Sequence, residues 1–228
     1  MINQTAAIRY AALLAGGLAG YLAVSGIFAG KGAKLEVKPE PTLAQGHVRA
    51  GSSQEGYSLV LPKGWVRIDP KNPQVQALLE EQRQKMKGLG DVAKRFDLSS
   101  YVVYALDPTT ADQAIPRSVN LVRRESKGSL GDPAEFAKKL SSSLPEQIPG
   151  TQILAAGAVD VPIGKVPRIV SSIPAPDQSG GTQPTTTVSY VFAHEGTSYN
   201  LTITGMGKER SEVEKLGERI ANSFRVLR

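Results

Sequence analysis

Cysteine is absent from the 228-residue chain, histidine occurs twice and tryptophan once. The missing thiols exclude disulfides, a thiol nucleophile, thiolate metal sites and a lipidated N-terminal cysteine. They leave the compartment open, because a cysteine-free chain suits either redox environment. With only His47 and His194, and neither followed by a second histidine at ligand spacing, the zinc-peptidase pattern is lacking. No Walker-type phosphate loop and no G-x-S-x-G elbow occurs. Gly205-Met206-Gly207 starts like a dinucleotide loop, but Arg210 stands where its third glycine belongs. Aromatic residues make up 6% of the chain and do not interleave with basic ones, which argues against nucleic acid as a partner.

Charge is present in both signs. The net charge of +6 comes from lysines and arginines scattered among acids, the pattern of a mixed, solvated surface. Arg123-Arg124 with Lys127 is a small basic cluster at the end of a strand pattern, read as protection of a strand edge or, alternatively, as a phosphate or headgroup contact. Glu80-Glu81, with Glu55 or Asp91, is a conceivable carboxylate pair. An apolar stripe on the same helix marks these glutamates as its wet face. Ser141-Ser142-Ser143 brings hydroxyls without a partner base. We assign no catalytic, cofactor-binding or metal residue, and expect no cofactor.

One long apolar run is present. From Tyr10 to Gly30 no residue is charged, and Arg9 and Lys31 bound the run. A helix of about 20 apolar residues crosses a bilayer. Two readings compete, a retained single-pass anchor, which we favour, and a cleaved signal peptide, whose core is usually shorter. Gly16 and Gly20, and Gly26 and Gly30, have G-x-x-x-G spacing, which a glycine-rich run also produces by chance. Lys31, Lys34 and Lys38 just beyond the run favour the cytoplasmic side for the rest of the chain. An N-terminal span usually leaves its short tail inside. We expect an extracytoplasmic domain, with the cytoplasmic side as the alternative.

Residues 31–55 carry Pro39, Pro41 and several glycines without periodicity and read as a flexible tether. The domain then runs over 56–228. Tyr57–Leu61 is a strand, and Trp65, Val66 and Ile68 extend again after a turn. Asn72-Pro73 opens a helix through Leu89, with a second short one over Val92–Phe96. Tyr101–Leu106 and Ser118–Arg123 are strands. Asp132-Pro133 caps a helix with the stripe Phe136, Leu140, Leu144, which Pro145 is expected to stop. Thr151–Ala156, Val159–Val161 and Val166–Ile173 are strands, and Pro174–Pro184 a polar loop. Thr185–Ala193 and Ser198–Thr204 form a hairpin about His194–Thr197. Ser211 and Glu214 have capping-box spacing before a last helix with Val213, Leu216, Ile220 and Phe224 inward. The class is α+β with a mostly antiparallel sheet.

Four stretches carry a family resemblance: GYSLVLPKGW, SVNLVRRESKGSLGDPAEFAKKL, VSYVFAHEGTSYNLTITG and the terminal NSFRV. Their order and punctuation resemble the PsbP/Mog1-like family over residues 56–228. The resemblance implies an α/β/α sandwich. It also implies a non-enzymatic role, as in photosystem II extrinsic subunits, a nuclear transport cofactor, bacterial envelope proteins and mycobacterial lipid-transport factors. It supplies no catalytic residue to carry onto this chain. Two functions are implied as expectations. One is an accessory or assembly subunit of a membrane protein complex, with the bilayer and that complex as partners. The other is an envelope factor that binds lipid or a small ligand.

Overall fold

The computed structural model describes residues 35–69, 72–73, 101–113, 115–126, 130–176 and 182–227. The apolar run, both helices expected over 73–96, and Lys127 with Glu80, Glu81 and Asp91 lie outside the described residues. Among the described residues no helix is long and apolar enough to cross a membrane.

Those residues form ten strands and two α-helices in this order: β1 Val48–Ser52, β2 Tyr57–Leu61, β3 Val66–Arg67, β4 Tyr101–Leu106, β5 Ser118–Glu125, α1 Pro133–Gln147, β6 Gln152–Val161, β7 Gly164–Pro176, β8 Thr182–His194, β9 Thr197–Met206, α2 Arg210–Ser223 and β10 Arg225–Val226. The large sheet has the order β3-β4-β5-β9-β8-β7-β6, and a small one the order β1-β2-β10. Every pairing among them is antiparallel, as the short connections between the later strands require.

Alternation along the strands sets the core. Val188 faces Ile203 and Tyr190 faces Leu201 across β8–β9. All four are buried in one cluster with Leu59, Trp65, Leu121, Val213, Ile220 and Phe224. The expected stripe of α2 is therefore its buried face, and the lone tryptophan belongs to the core. The alternate positions are polar: Thr187 faces Thr204 and Ser189 faces Thr202, with hydroxyl oxygens 3.4 Å apart in each pair. The turn between these strands is Glu195-Gly196, with φ of 45° and 76°. Two positive φ angles suit the right-handed twist of a two-residue hairpin.

Four sequence expectations need correction. Residues 31–55 are not all tether. Val48–Ser52 pairs with β2, and Leu35 is 4% exposed within the core. This strap is held by contacts distant in sequence, which leave no local periodicity. Pro145 does not stop α1, which continues to Gln147. It is exposed in the last turn, so it interrupts the helix ladder only near its end. Residues 174–176 and 182–184 are strand, with Pro174 opposite Pro184. Both prolines lie beyond the ends of the flanking strands, so neither removes a donor the ladder needs. Ser211 caps nothing. Helix α2 begins from a 3₁₀ turn, Gly207–Glu209, without a side-chain cap. Arg117 instead meets its first acids, lying 3.5 Å from Glu209 and 2.9 Å from Glu212.

Candidate functional site

A groove of about 650 Å³ separates the outer side of α2 from the β6–β7 hairpin. Register builds one wall. Arg168 of β7 faces Tyr190 of β8, and both therefore emerge on the side that α2 covers. Glycine builds the approach of the other. A side chain at Gly217 would meet Tyr190, Val188 and Ile203 at 3.3 to 3.5 Å, so glycine lets α2 lie low over the sheet. Val159 and Val161 supply apolar surface, and Asp160, Lys215, Glu218 and Asn222 the polar rim.

Glu214 organises the floor. One carboxylate oxygen accepts from Arg168 at 2.5 Å, the other from Arg210 at 2.6 Å. Burial works against the Glu214 charge, but the donated hydrogen bonds of Arg210 and Arg168 outweigh it and hold the carboxyl below its usual range. Burial likewise opposes the Arg168 charge, and the bond to Glu214 overcomes it, raising that pKa. Tyr190 is 1% exposed, and burial pushes its phenol up while Arg168 beside it pulls the other way. Among the described residues its hydroxyl finds no hydrogen-bond acceptor or donor in good geometry. Each shift fixes a group more firmly in the state it already has near neutral pH. The groove offers fixed charge, one buried hydroxyl and an apolar wall, features that suit the binding of a ligand or partner.

The residues singled out in the sequence lie elsewhere. His194 ends β8, with its side chain 9% exposed and Nε2 3.8 Å from Glu195. Among the described residues no group of three His, Asp or Glu side chains is placed to hold a metal. The Ser141, Ser142 and Ser143 hydroxyls all donate to carbonyls of their own helix, at Lys138 and Leu140. Arg123 donates to the Glu55 carbonyl at 3.3 Å. Arg123 and Arg124 pair with Tyr199 and Ser198 of β9. Glu55 is bonded to Ser52. Gly205 is part of β9, so it belongs to a strand and not to a phosphate loop. None of the groove residues was selected as a site from the sequence. The one available signal was the i,i+4 pair Arg210 and Glu214, which is common on any helix surface.

No protein-family model matches the chain, and no curated protein matches its sequence. Solved structures do. Cyanobacterial PsbP (CyanoP) from Synechocystis sp. PCC 6803 matches with a TM-score of 0.51 at 14% identity, over 83% of this chain and 97% of that one. LpqN of Mycobacterium tuberculosis, involved in cell envelope biogenesis, matches with a TM-score of 0.46 at 11% identity, over 75% and 83%. The Saccharomyces cerevisiae Ran-binding protein Mog1p also gives 0.46, at 9% identity, over 79% and 95%. Identities this low speak to fold alone, and the superposition on cyanobacterial PsbP identifies that fold: the chain has the PsbP/Mog1-like fold its sequence resembles.

Proposed function

We propose that this chain is a membrane-anchored, non-enzymatic accessory or assembly subunit of a membrane protein complex. In this reading one transmembrane helix over residues 10–30 precedes an α/β/α sandwich, and the sandwich lies on the extracytoplasmic side. The observation that supports it best is the state of the groove. Arg168, Arg210 and Glu214 are locked by mutual pairing, while Lys215 and Glu218 at the rim carry no ion pair among the described residues and remain available to a partner. Complementary rim charges of this kind select and orient a protein partner.

The test exchanges those charges. Lys215→Glu combined with Glu218→Lys keeps net charge and helix content while inverting the pattern. Affinity purification from detergent-solubilised native membranes should give a stoichiometric protein partner with the wild type and lose it with the double variant. A partner retained undiminished by that variant counts against the groove. One observation favours a second reading: a cavity of about 650 Å³ with valine walls and a buried tyrosine hydroxyl has the size and lining of a small-ligand site. Lipid or small molecule co-purifying without protein supports that reading instead.

A further inference from the structure

We infer that the strap Leu35–Pro41 holds the tip of the β6–β7 hairpin against the bilayer, so that the domain sits on the membrane instead of floating above it. The inference rests on the anchor proposed for residues 10–30. It starts from where the chain is pinned. Leu35 is 4% exposed, and a methyl group at Gly164 would lie 3.4 Å from its Cδ2. With φ of +137°, that tip position favours glycine, and Leu35 packs directly against it. The Glu36 amide donates to the Ile163 carbonyl at 2.8 Å. Further along, Arg225 Nε donates to the Pro39 carbonyl at 3.1 Å and Arg49 to that of Pro41 at 2.7 Å. Arg49 also pairs with Glu40 at 2.8 Å.

These contacts shorten the tether. Had it ended at residue 56, the domain would roam on the order of 90 Å of extended chain from Gly30. With Leu35 seated, only residues 31–34 intervene, a reach of about 17 Å at roughly 3.5 Å per step. The tip must then lie at the headgroup layer. Lys165 is exposed at the tip, and the sequence places Lys31 and Lys34 in the short link, so cations accompany it to where phosphate groups begin, whereas Lys38 is half-buried and already paired with Glu36 at 3.0 Å. The opposite end of the hairpin, at Gln152, stands roughly 30 Å away along the strand.

The absence of cysteine makes the test clean. Full-length Lys165→Cys and Gln152→Cys proteins, each labelled with one bimane, are reconstituted into phosphatidylcholine–phosphatidylglycerol vesicles. The vesicles contain a headgroup-spin-labelled lipid as quencher. Quenching should be several-fold stronger at position 165 than at 152. A flexible insertion of about twenty Gly/Ser residues between Gly30 and Lys31 should abolish the difference, since such linkers behave as coils. Equal quenching at both positions in a protein that floats with the vesicles overturns this inference alone, as does a difference that survives the insertion. A protein that fails to float with the vesicles overturns the anchor as well.

Discussion

Glu214 is held by two guanidinium groups, one from its own helix and one from a strand 46 residues earlier. Its folded pKa is lowered, so its contribution to stability is complete above the ordinary glutamate range and fades as pH falls through the folded value. Its side chain is 25% exposed, which limits the effect at neutral pH to about 1 kcal/mol or less. Glu214→Gln should therefore lower the melting temperature slightly at pH 7 and leave it nearly unchanged near pH 3, in parallel thermal melts. An equal loss at both pH values would show that the carboxylate charge plays no part. Trp65 is a simpler case. It is 8% exposed within the core, and Trp→Ala at such positions costs about 3–5 kcal/mol. Several degrees of melting temperature should be lost. Readily quenched wild-type tryptophan fluorescence would contradict its burial. For Trp65 the sequence offered two destinations, burial against the sheet or exposure as a partner or membrane contact, and the structure places it in the core. Glu214 was not legible, because spacing to Ser211 offered a local partner and only the fold supplies Arg168.

Among the elements, the β8–β9 hairpin came out of the sequence most nearly as it stands, since alternation and a Glu-Gly turn are both local signals. Gly196 has φ of +76° there, and a side chain in that left-handed region costs about 1 kcal/mol. Gly196→Ala should destabilise by that amount in urea titration, with an unchanged slope. The strap and β1 were invisible by the same criterion. Their hydrogen bonds run to β2, Ile163 and Arg225, and Pro39 and Pro41 imitate a linker. The domain boundary matters in practice. A chain of residues 35–228 should melt well above one of residues 56–228, because the shorter form loses Leu35 from the core and uncovers one side of β2. Equal melting temperatures would show that the strap contributes nothing to stability.

For the whole molecule, the proposed reading joins the apolar run to the strap. We expect the full chain to stay in the membrane pellet after alkaline carbonate extraction. Extraction, together with a mature N-terminus near residue 27 or 30, would establish the cleaved signal peptide instead. The buried Arg225 links the two ends of the described chain. It is 8% exposed and spends its donors on the carbonyls of Pro39, Asn222 and Phe224, while burial lowers its pKa. Phe224 beside it stacks on Phe192 at 4.2 Å and meets Tyr199 at 5.4 Å. The C-terminal strand thus closes the core and secures the strap in one place.

By itself the sequence determined what repeats at short range: the period of two in the strands, the stripe on α2, the Asp132 cap of α1, and the uncharged run before Lys31. Each is written within a few residues, because backbone geometry returns side chains to one face at fixed intervals. Tertiary structure alone decided that Leu35 is core, that β7 and β8 run on through their prolines, and that Glu214 joins Arg168 and Arg210 at the floor of a groove. Those outcomes depend on contacts between residues far apart in the chain, formed only when antiparallel pairing brings distant strands into register.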